Sequence, residues 1–512
     1  MEGLPLLTTL IVVPALAALV IALLPQEQRG AIRAVALAGT VVAFGVSLAV
    51  LAAFTAGEPG FQLTEQVAWI PEWGITYRLG VDGLSLFLVL LTTFIMPLAV
   101  LAAWEHVDRA KGFFAALLVM QAAMVGVFVA LDLILFYVFF EAMLVPMYAL
   151  IGIWGSGNRR YAAFKFFLYT VIGGLLMLVG ILYLYFAAGG ASFDYDVIRE
   201  VSLTTTEQTW LFLAFFAAFA IKVPLFPFHT WLPDAHTEAP TVGSVLLAAV
   251  LLKIGGYGFL RFSLPYFPEA TVNLAPWVLG LGLIGVLYGA LVAMMQRDIK
   301  RLVAYSSVAH LGFVVIGVFA LNTTASAGSV VQMVNHGLST GALFLLIGFL
   351  YDRTHSRAIA DYSGLATSAP ILGGLFLVTA MSSIALPGLN GFVGEFPILL
   401  GAYQTQPWVA VLAAIGVIFA ALYLLWAYQR MFHGPVRGRS AGVTDLSVRE
   451  IVVVAPLVVL MLGIGLYPKP IYDRVNPTVE QIISEIEPVR AAAEADPPEE
   501  RGTAAGTQED GS

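Results

Sequence analysis

Long apolar runs separated by short polar loops dominate the chain up to about residue 470. Fourteen of these runs are long enough to cross a bilayer, because a spanning helix needs about 20 predominantly apolar residues. They fall near residues 4–24, 31–54, 82–104, 112–130, 132–154, 161–187, 207–231, 240–264, 275–296, 299–321, 327–352, 366–403, 408–433 and 448–468. The pattern predicts an all-α polytopic membrane protein with about 14 transmembrane helices. The first run has no cationic head and no clear cleavage site, so we interpret it as a retained span.

Two of the runs contain residues that should interrupt a helix inside the membrane. The seventh has Pro224 and Pro227, and the twelfth has Pro387 and Gly388. A proline removes a backbone donor and clashes with the preceding turn. Broken helices are tolerated at this depth only where protein or a water-filled cavity covers the freed backbone groups. Matching broken helices in two halves of a transporter indicate an inverted repeat.

The two broken helices lie five runs apart, which predicts two inverted five-helix repeats with one break in each. The first repeat occupies residues 112–264 and the second occupies residues 275–433. Flanking spans fill residues 1–111, and the last span lies in residues 434–470. From residue 480 onward the chain has nine acidic residues against two arginines. We therefore expect residues 471–512 to be an acidic, disordered tail, with no long amphipathic helix after the last span.

Positive charge is concentrated in alternate loops. The loops after odd-numbered runs hold fifteen arginines and lysines, whereas those after even-numbered runs hold only Arg78, Arg199 and Arg261. Cytoplasmic loops of membrane proteins carry such an excess. The asymmetry predicts that the odd-numbered loops lie in the cytoplasm and that both termini lie on the outer side.

Composition supports the membrane assignment and excludes some chemistry. The chain is 59% hydrophobic and 11% charged, whereas a soluble domain has about 25% charged residues. It contains no cysteine, which excludes disulfides and cysteine-ligated iron–sulfur clusters in this chain.

Six ionisable side chains lie near the middles of apolar runs. A charge at the bilayer centre costs about 2.5–3.5 kcal/mol or more, so such residues mark ion or proton pathways. The six residues are Glu141, Lys222, Lys253, His310, His336 and Glu395. The pattern predicts a proton conductor. Two alternatives stay open: Glu141 could hold two helices together through one ion pair, and either histidine could be a hydrogen-bonded core residue.

The types of these residues suggest a relay. Glu141 and Lys222 form a natural pair of opposite charges, and separating them would favour release of a proton from the lysine. Lys253 has no charged neighbour within about two helical turns along its own run. His310 and His336 could bridge Lys253 to Glu395, because an imidazole both donates and accepts protons near neutral pH.

Four polar residues crowd the segment that follows the seventh run. They are His229, Asp234, His236 and Glu238. Their spacing matches no established metal site, so we predict no metal here. A polar gate or helix cap at the mouth of the pathway fits these residues better.

One long run resembles a known family. KVPLFPFHTWLPDAHTEAPTVGSVLLAAVLLKIGGYGFLR, together with the two broken helices, resembles the antiporter-like membrane subunits of respiratory complex I, the NADH–quinone oxidoreductase. The resemblance covers about residues 1–470. Most members of this family carry a lysine in the twelfth span. The sequence GFVGEF places Glu395 there, which resembles the branch called subunit M, equivalent to mitochondrial subunit 4.

The resemblance implies a proton-translocating subunit of a translocase, located in the bacterial inner (cytoplasmic) membrane. Glu141 and Lys222 would be the modulating pair, Lys253 the central relay, His310 and His336 the connecting chain, and Glu395 the exit-side group. Other subunits would hold NADH, FMN, iron–sulfur clusters and a quinone, and this chain would bind no cofactor. Its partners would be the lipid bilayer and other membrane and peripheral subunits, especially paralogous antiporter-like ones, with no nucleic acid involved.

Other functions stay open at this point. The chain could belong to a monovalent cation/proton antiporter of the Mrp type, or to an energy-converting hydrogenase, since both use related subunits. It could also be a structural spacer between pumping subunits, although a spacer does not require six buried titratable groups.

Overall fold

Helices form most of the chain in the computed structural model, which describes residues 5–105 and 107–495. We number the main helices in chain order and leave the short helical segments at Tyr195–Arg199 and Leu365–Ser368 unnumbered. The bounds are α1 Leu6–Leu23, α2 Arg29–Ala53, α3 Leu86–Ala102, α4 Ala110–Val129, α5 Leu133–Trp154, α6 Arg159–Ala187, α7 Thr205–Lys222, α8 Trp231–Glu238, α9 Thr241–Tyr266, α10 Pro268–Met294, α11 Ile299–Phe319, α12 Thr323–Thr354, α13 Pro370–Ser383, α14 Asn390–Thr405, α15 Pro407–Phe432, α16 Val448–Leu466 and α17 Lys469–Ala495.

Eleven helices within the described ranges are long and apolar enough to span a bilayer. They coincide with eleven of the fourteen apolar runs that the sequence contains. The other three runs hold α3, which has 17 residues, and two helices that are interrupted. The predicted polytopic, mostly helical membrane fold is therefore confirmed.

The first interruption lies between α7 and α8. Helix α7 ends at Lys222 and α8 begins at Trp231, with Pro224 and Pro227 in the gap. The indole N–H of Trp231 donates to the carbonyl of Ile221 at 3.0 Å. A side chain from beyond the gap thus satisfies a carbonyl that the broken helix leaves without its usual partner.

The second interruption lies between α13 and α14. Helix α13 ends at Ser383 and α14 begins at Asn390, with Pro387 and Gly388 between them. Gly388 has φ of +92°, a conformation that glycine adopts without steric cost. The Asn335 side chain donates to the Asn390 carbonyl at 2.6 Å, and the Asn390 side chain donates to the Asn335 carbonyl at 3.3 Å. These two hydrogen bonds tie α12 directly to the first residue of α14.

Two small antiparallel sheets are exceptions to an all-α fold, so that part of the prediction is wrong. One pairs Tyr362–Ser363 with Arg437–Gly438, and the other is a longer β-hairpin. Strand β1 (Gln62–Ile70) pairs antiparallel with β2 (Ile75–Val81), and Gly74 turns the chain with φ of +63°. The segment is too polar to form an apolar run, and its alternating residues favour strands over a loop. We call this end of the helix bundle the hairpin end. The opposite end, with the loops after α5, α10 and α12, is the basic end.

The C-terminal segment is a helix rather than a disordered tail. Helix α17 covers residues 469–495, so the predictions of disorder and of no amphipathic helix are wrong there, while residues 496–512 lie outside the described residues. Apolar positions recur every three or four residues and form one buried stripe. The stripe consists of Ile471, Val475, Val479, Ile482, Ile483 and Ile486. The high content of acidic residues, which occupy other faces of the helix, hid this periodicity.

Helix α17 lies across the hairpin end and joins distant parts of the chain. The hydroxyl of Thr478 accepts the backbone N–H of Gly83 at 3.1 Å, just before α3. The Tyr472 hydroxyl donates to the carbonyl of Val393 in α14 at 2.6 Å. The helix therefore contacts both the flanking spans and the second broken helix.

Replacing Val479 with aspartate should detach α17. Val479 is 1% exposed, and an unpaired carboxylate at such a site should cost about 3 kcal/mol or more. We expect a lower unfolding temperature of the purified protein and protease cleavage near residue 470. Glu480→Ala, at the exposed neighbouring position, is the matched control and should leave both unchanged. Equal behaviour of the two variants would contradict the packing of α17.

Candidate functional site

Glu141 of α5 and Lys222, the last residue of α7, interact electrostatically inside the helix bundle. Glu141 Oε1 and Lys222 Nζ are buried atoms without a hydrogen-bond partner among the described residues. The ammonium of Lys222 lies over the ring of Phe140, 4.6 Å from its centroid, a favourable cation–π contact. The pair is therefore attracted but not locked by a hydrogen bond.

Gly174 of α6 makes room for the Glu141 carboxylate. A Cβ atom at this glycine would lie 1.8 Å from Glu141 Oε1, which no side chain could tolerate without displacing the carboxylate. The sequence analysis missed this residue. Its only sequence signal is the small-residue pair at Gly173 and Gly174 inside an apolar run, a feature typical of close helix packing.

Lys253 lies on α9 between two short π-helical segments, Leu247–Leu251 and Phe259–Ser263. Such segments are rare and concentrate at functional sites. Lys253 is fully buried. Its ammonium donates to the carbonyl of Ala248 and lies 2.6 Å from His336 Nδ1. The predicted contact between the central lysine and a histidine is therefore present.

The two histidines and Glu395 continue from Lys253 into the second half. The rings of His336 and His310 are neighbours, with centroids 5.9 Å apart. His310 Nδ1 lies 2.6 Å from Glu395 Oε1. The three side chains are each at most 3% exposed. Lys253, His336, His310 and Glu395 thus form one buried polar line across the middle of the bundle.

Two neutral residues that sequence reasoning missed complete this line. The amide of Gln332 donates to Glu395 Oε1 at 2.7 Å, and the hydroxyl of Tyr423 lies 3.3 Å from His310 Nε2. Both are buried. Considering only titratable residues overlooked them, although a glutamine four residues before His336 in an apolar run lies on the same helix face.

The four polar residues after the first break do not form one cluster. His229 is 2% exposed in the gap between α7 and α8, with its ring stacked near Phe226. His236 is fully buried and stacks on Phe344, with centroids 4.6 Å apart. Among the described residues, no group of three or more His, Asp or Glu side chains is arranged to hold a metal ion.

Asp234 and Glu238 lie nearer the basic end. Asp234 forms an ion pair with Lys165 of α6 at 2.8 Å, so Lys165 is tied to the second half of the broken helix. Glu238 lines a cavity of about 200 Å³ together with Lys300. Asp352 and Arg357 also line this cavity, whose surface is otherwise largely apolar, and the role of these residues as a pathway mouth stays a prediction.

Comparison with known proteins shows which family the chain belongs to. A family described as NADH:quinone oxidoreductase/Mrp antiporter, TM matches residues 130–420. A second, described as NADH-ubiquinone oxidoreductase chain 4, amino terminus, matches residues 47–131. The chain is 48% identical over 495 residues to NADH-quinone oxidoreductase subunit M of Rhodobacter capsulatus, covering 93% of this chain and 96% of that protein.

This chain belongs to the subunit M family of NADH–quinone oxidoreductase. It is also 42% identical over 480 residues to NADH-ubiquinone oxidoreductase chain 4 of Arabidopsis thaliana, covering 93% of this chain and 97% of that protein. A chain in the structure of respiratory complex I from Thermus thermophilus superposes with a TM-score of 0.87 at 34% identity, covering 94% of this chain and all of that chain. The resemblance to the subunit M branch, which the sequence analysis inferred from Glu395, is confirmed.

Replacing Gly174 with alanine should displace the Glu141 carboxylate. We expect the NADH–quinone turnover of the assembled complex to fall by about ten- to a hundredfold, because a misplacement of about 1 Å costs up to this much. Gly280→Ala is the matched control, since nothing lies within 4 Å of a Cβ at that glycine. Normal turnover in Gly174→Ala would mean that the position of Glu141 does not matter.

Proposed function

We propose that this chain is a proton-translocating membrane subunit of NADH–quinone oxidoreductase. The buried line from Lys253 through His336 and His310 to Glu395 is the observation that carries the proposal. Redox energy released in other subunits reaches this chain as an electrostatic disturbance and drives protons along its middle. The proton-transfer residues are Glu141, Lys222, Lys253, His310, His336 and Glu395.

The Glu141–Lys222 pair starts the cycle. When the carboxylate moves away, the charge of Lys222 is no longer compensated and repels the charge of Lys253. The backbones that carry the two lysines are close, since a Cβ at Gly255 would lie 2.6 Å from the backbone nitrogen of Val223. This repulsion favours transfer of the Lys253 proton to His336.

Two of the following steps have a hydrogen-bonded acceptor in place. The Lys253 ammonium gives its proton to His336 Nδ1, 2.6 Å away. His336 Nε2, which has no hydrogen-bond partner among the described residues, then releases its proton toward His310, whose ring centroid lies 5.9 Å from that of His336. His310 then gives a proton from Nδ1 to Glu395 Oε1 at 2.6 Å. Glu395 releases the proton and accepts the next one.

The energies are of the required size. Two unit charges 4 Å apart at an effective dielectric constant of about 20 interact by about 4 kcal/mol. Moving one charge across a membrane costs about 2.3 kcal/mol per 100 mV. An electrostatic change of this general size is comparable with the cost of moving a proton against a physiological potential.

The fold supports an inverted repeat in the predicted bounds. Asp132 caps the start of α5 and pairs with Asp194 in an isolated β-bridge, while Asp298 caps α11 and forms the equivalent bridge with Ala358. The first arrangement lies at the hairpin end and the second at the basic end. Inverted units require the same local structure at opposite ends.

The two helix breaks repeat the same backbone pattern. The N–H of Leu225 donates to the carbonyl of Ala220 at 2.8 Å, and that of Leu386 donates to the carbonyl of Met381 at 3.1 Å. Both bonds span five residues at the end of a half-helix. We infer fourteen crossings, with α7–α8 and α13–α14 as one broken crossing each.

The location and partners follow from the same proposal. The basic end faces the cytoplasm of a bacterium, the hairpin end faces outward, and the chain lies in the inner membrane with both termini outside. Paralogous membrane subunits flank it, and peripheral subunits hold NADH, FMN, iron–sulfur clusters and the quinone. The absence of cysteine assigns thiolate-bound clusters to those subunits.

Glu141→Ala should abolish proton pumping and the turnover coupled to it. The substitution removes the charge that compensates Lys222, so the cycle has no switch. Pumping is measured as NADH-driven acidification of inverted vesicles that contain the assembled complex. Glu58→Ala, at an exposed acid in the loop before the hairpin, is the control and should pump normally. Proton pumping at the unchanged rate in the Glu141→Ala complex would contradict the proposal.

A second candidate is a subunit of a monovalent cation/proton antiporter. The family description that covers residues 130–420 includes Mrp antiporters, which favours it, whereas the chain 4 match over residues 47–131 and Glu395 favour the oxidoreductase. Proton flux that depends on sodium and needs no NADH would support the antiporter. Purification with flavin- and iron–sulfur-containing subunits would support the oxidoreductase.

A further inference from the structure

A second buried polar line leaves Lys253 toward the hairpin end. Tyr257 and Arg261 follow Lys253 at intervals of four residues, on the same face of α9. Arg261 forms an ion pair with Asp82 at 2.6 Å, before the start of α3. Tyr257, Arg261 and Asp82 are each at most 3% exposed. Polar side chains therefore follow Lys253 in two directions: His336 toward the second half, and Tyr257, Arg261 and Asp82 toward the hairpin end.

The ion pair is an expensive feature that stability alone does not explain. Burying two charges carries a desolvation cost that their attraction often fails to recover, and apolar replacements are frequently as stable. The second route also differs from the first in containing a guanidinium. Arginine stays protonated in proteins and has no acceptor atom, so Arg261 cannot pass a proton on.

Hydrogen-bond directions close this route as well. Arg261 Nε donates to the hydroxyl of Tyr257 at 3.2 Å, and that hydroxyl donates to the carbonyl of Phe128 at 3.2 Å. This branch of donors therefore runs from Arg261 Nε through Tyr257 and ends on a peptide carbonyl, which does not relay protons. Tyr257 already donates its single proton and accepts from Arg261.

Aromatic rings pack around the guanidinium and around Tyr257. Arg261 lies over the ring of Phe61 at 4.8 Å from its centroid and near the ring of Tyr195 at 5.7 Å. The Tyr257 ring packs edge-on against Phe128, with centroids 5.3 Å apart. The carboxylate of Asp82 is also occupied, since its Oδ1 accepts two backbone N–H groups at 3.1 Å.

We propose that Arg261, held in place by Asp82, is an electrostatic seal that closes the hairpin end of the first half to protons. A fixed positive charge in a dry constriction repels a migrating proton, as in pores that exclude protons. The seal leaves His336 as the route for a proton on Lys253. This inference rests on the proposed function, because it takes Lys253 as a proton carrier.

Arg261→Gln should open a passive proton leak. The assembled complex is placed in liposomes without NADH, a pH gradient is imposed, and its decay is followed with an internal pH dye. We expect a several-fold faster decay than for the unchanged complex. Arg261→Lys keeps the charge and should hold the gradient. Arg78→Gln alters another ion-paired arginine at the hairpin end, bonded to Asp194, and should also hold it.

A third variant links the leak to Lys253. Adding Lys253→Met to Arg261→Gln should restore a slow decay, because the leak needs the lysine as its proton donor. A leak that persists in this double variant, or an assembled Arg261→Gln complex that holds the gradient, overturns the seal. Since no NADH is present, these results are separate from pumping by Glu141→Ala, which tests the proposed function.

A double variant in which both members of the ion pair are neutral keeps the proposal testable if Arg261→Gln alone does not assemble. If Arg261→Gln leaves Asp82 buried without its partner and prevents assembly, Asp82→Asn combined with Arg261→Gln removes both charges and keeps a polar side chain at each position. We expect this double variant to assemble and to leak. An assembled neutral pair with a slow decay overturns the proposal.

Discussion

The bilayer core offers no water, so every charge and every broken turn of helix in this chain must be satisfied by protein. Helices α9, α11 and α12, which carry the centre of the proposed relay, meet this constraint because other helices of the bundle surround them. The apolar windows of α9 and α12 are completely buried within the bundle, and that of α11 is 94% buried. Charged groups can lie at mid-membrane here because the outer helices, rather than these three, face lipid.

The two halves of the bundle satisfy the constraint in different ways. In the first half, Glu141 and Lys222 attract each other without a hydrogen bond, so their separation breaks no specific contact. In the second half, His310 and Gln332 both bond Glu395, and the carboxylate is held in position. A loose pair suits a group that responds to a distant disturbance, whereas a bonded carboxylate suits a group that receives protons at a fixed point.

A feature of the fold or of the candidate site could be predicted from the sequence when placing its residues in lipid has a high free-energy cost. Charged and histidine side chains such as Lys253 and His336 stand out in apolar runs, and the prolines mark the breaks. Neutral partners such as Gln332 and Gly174 carry no comparable signal, because neither is unusual in a membrane helix. Whether a lysine meets a histidine at 2.6 Å depends on packing between helices, which a single sequence does not specify. The amphipathic α17 was missed for another reason, since its net charge was considered before its periodicity.

Helix α17 also has a consequence for how the protein forms. Thr478 and Gly83, which it joins, are 395 residues apart in the chain. The contact between α17 and the start of α3 therefore cannot form until α17 has been synthesised, after the earlier helices have been inserted. Contacts between such distant segments form slowly, because the loop between them must first be closed. The 27 residues of α17, the last helix in the described part of the chain, therefore complete the surface of the hairpin end only after the spans before them have been synthesised.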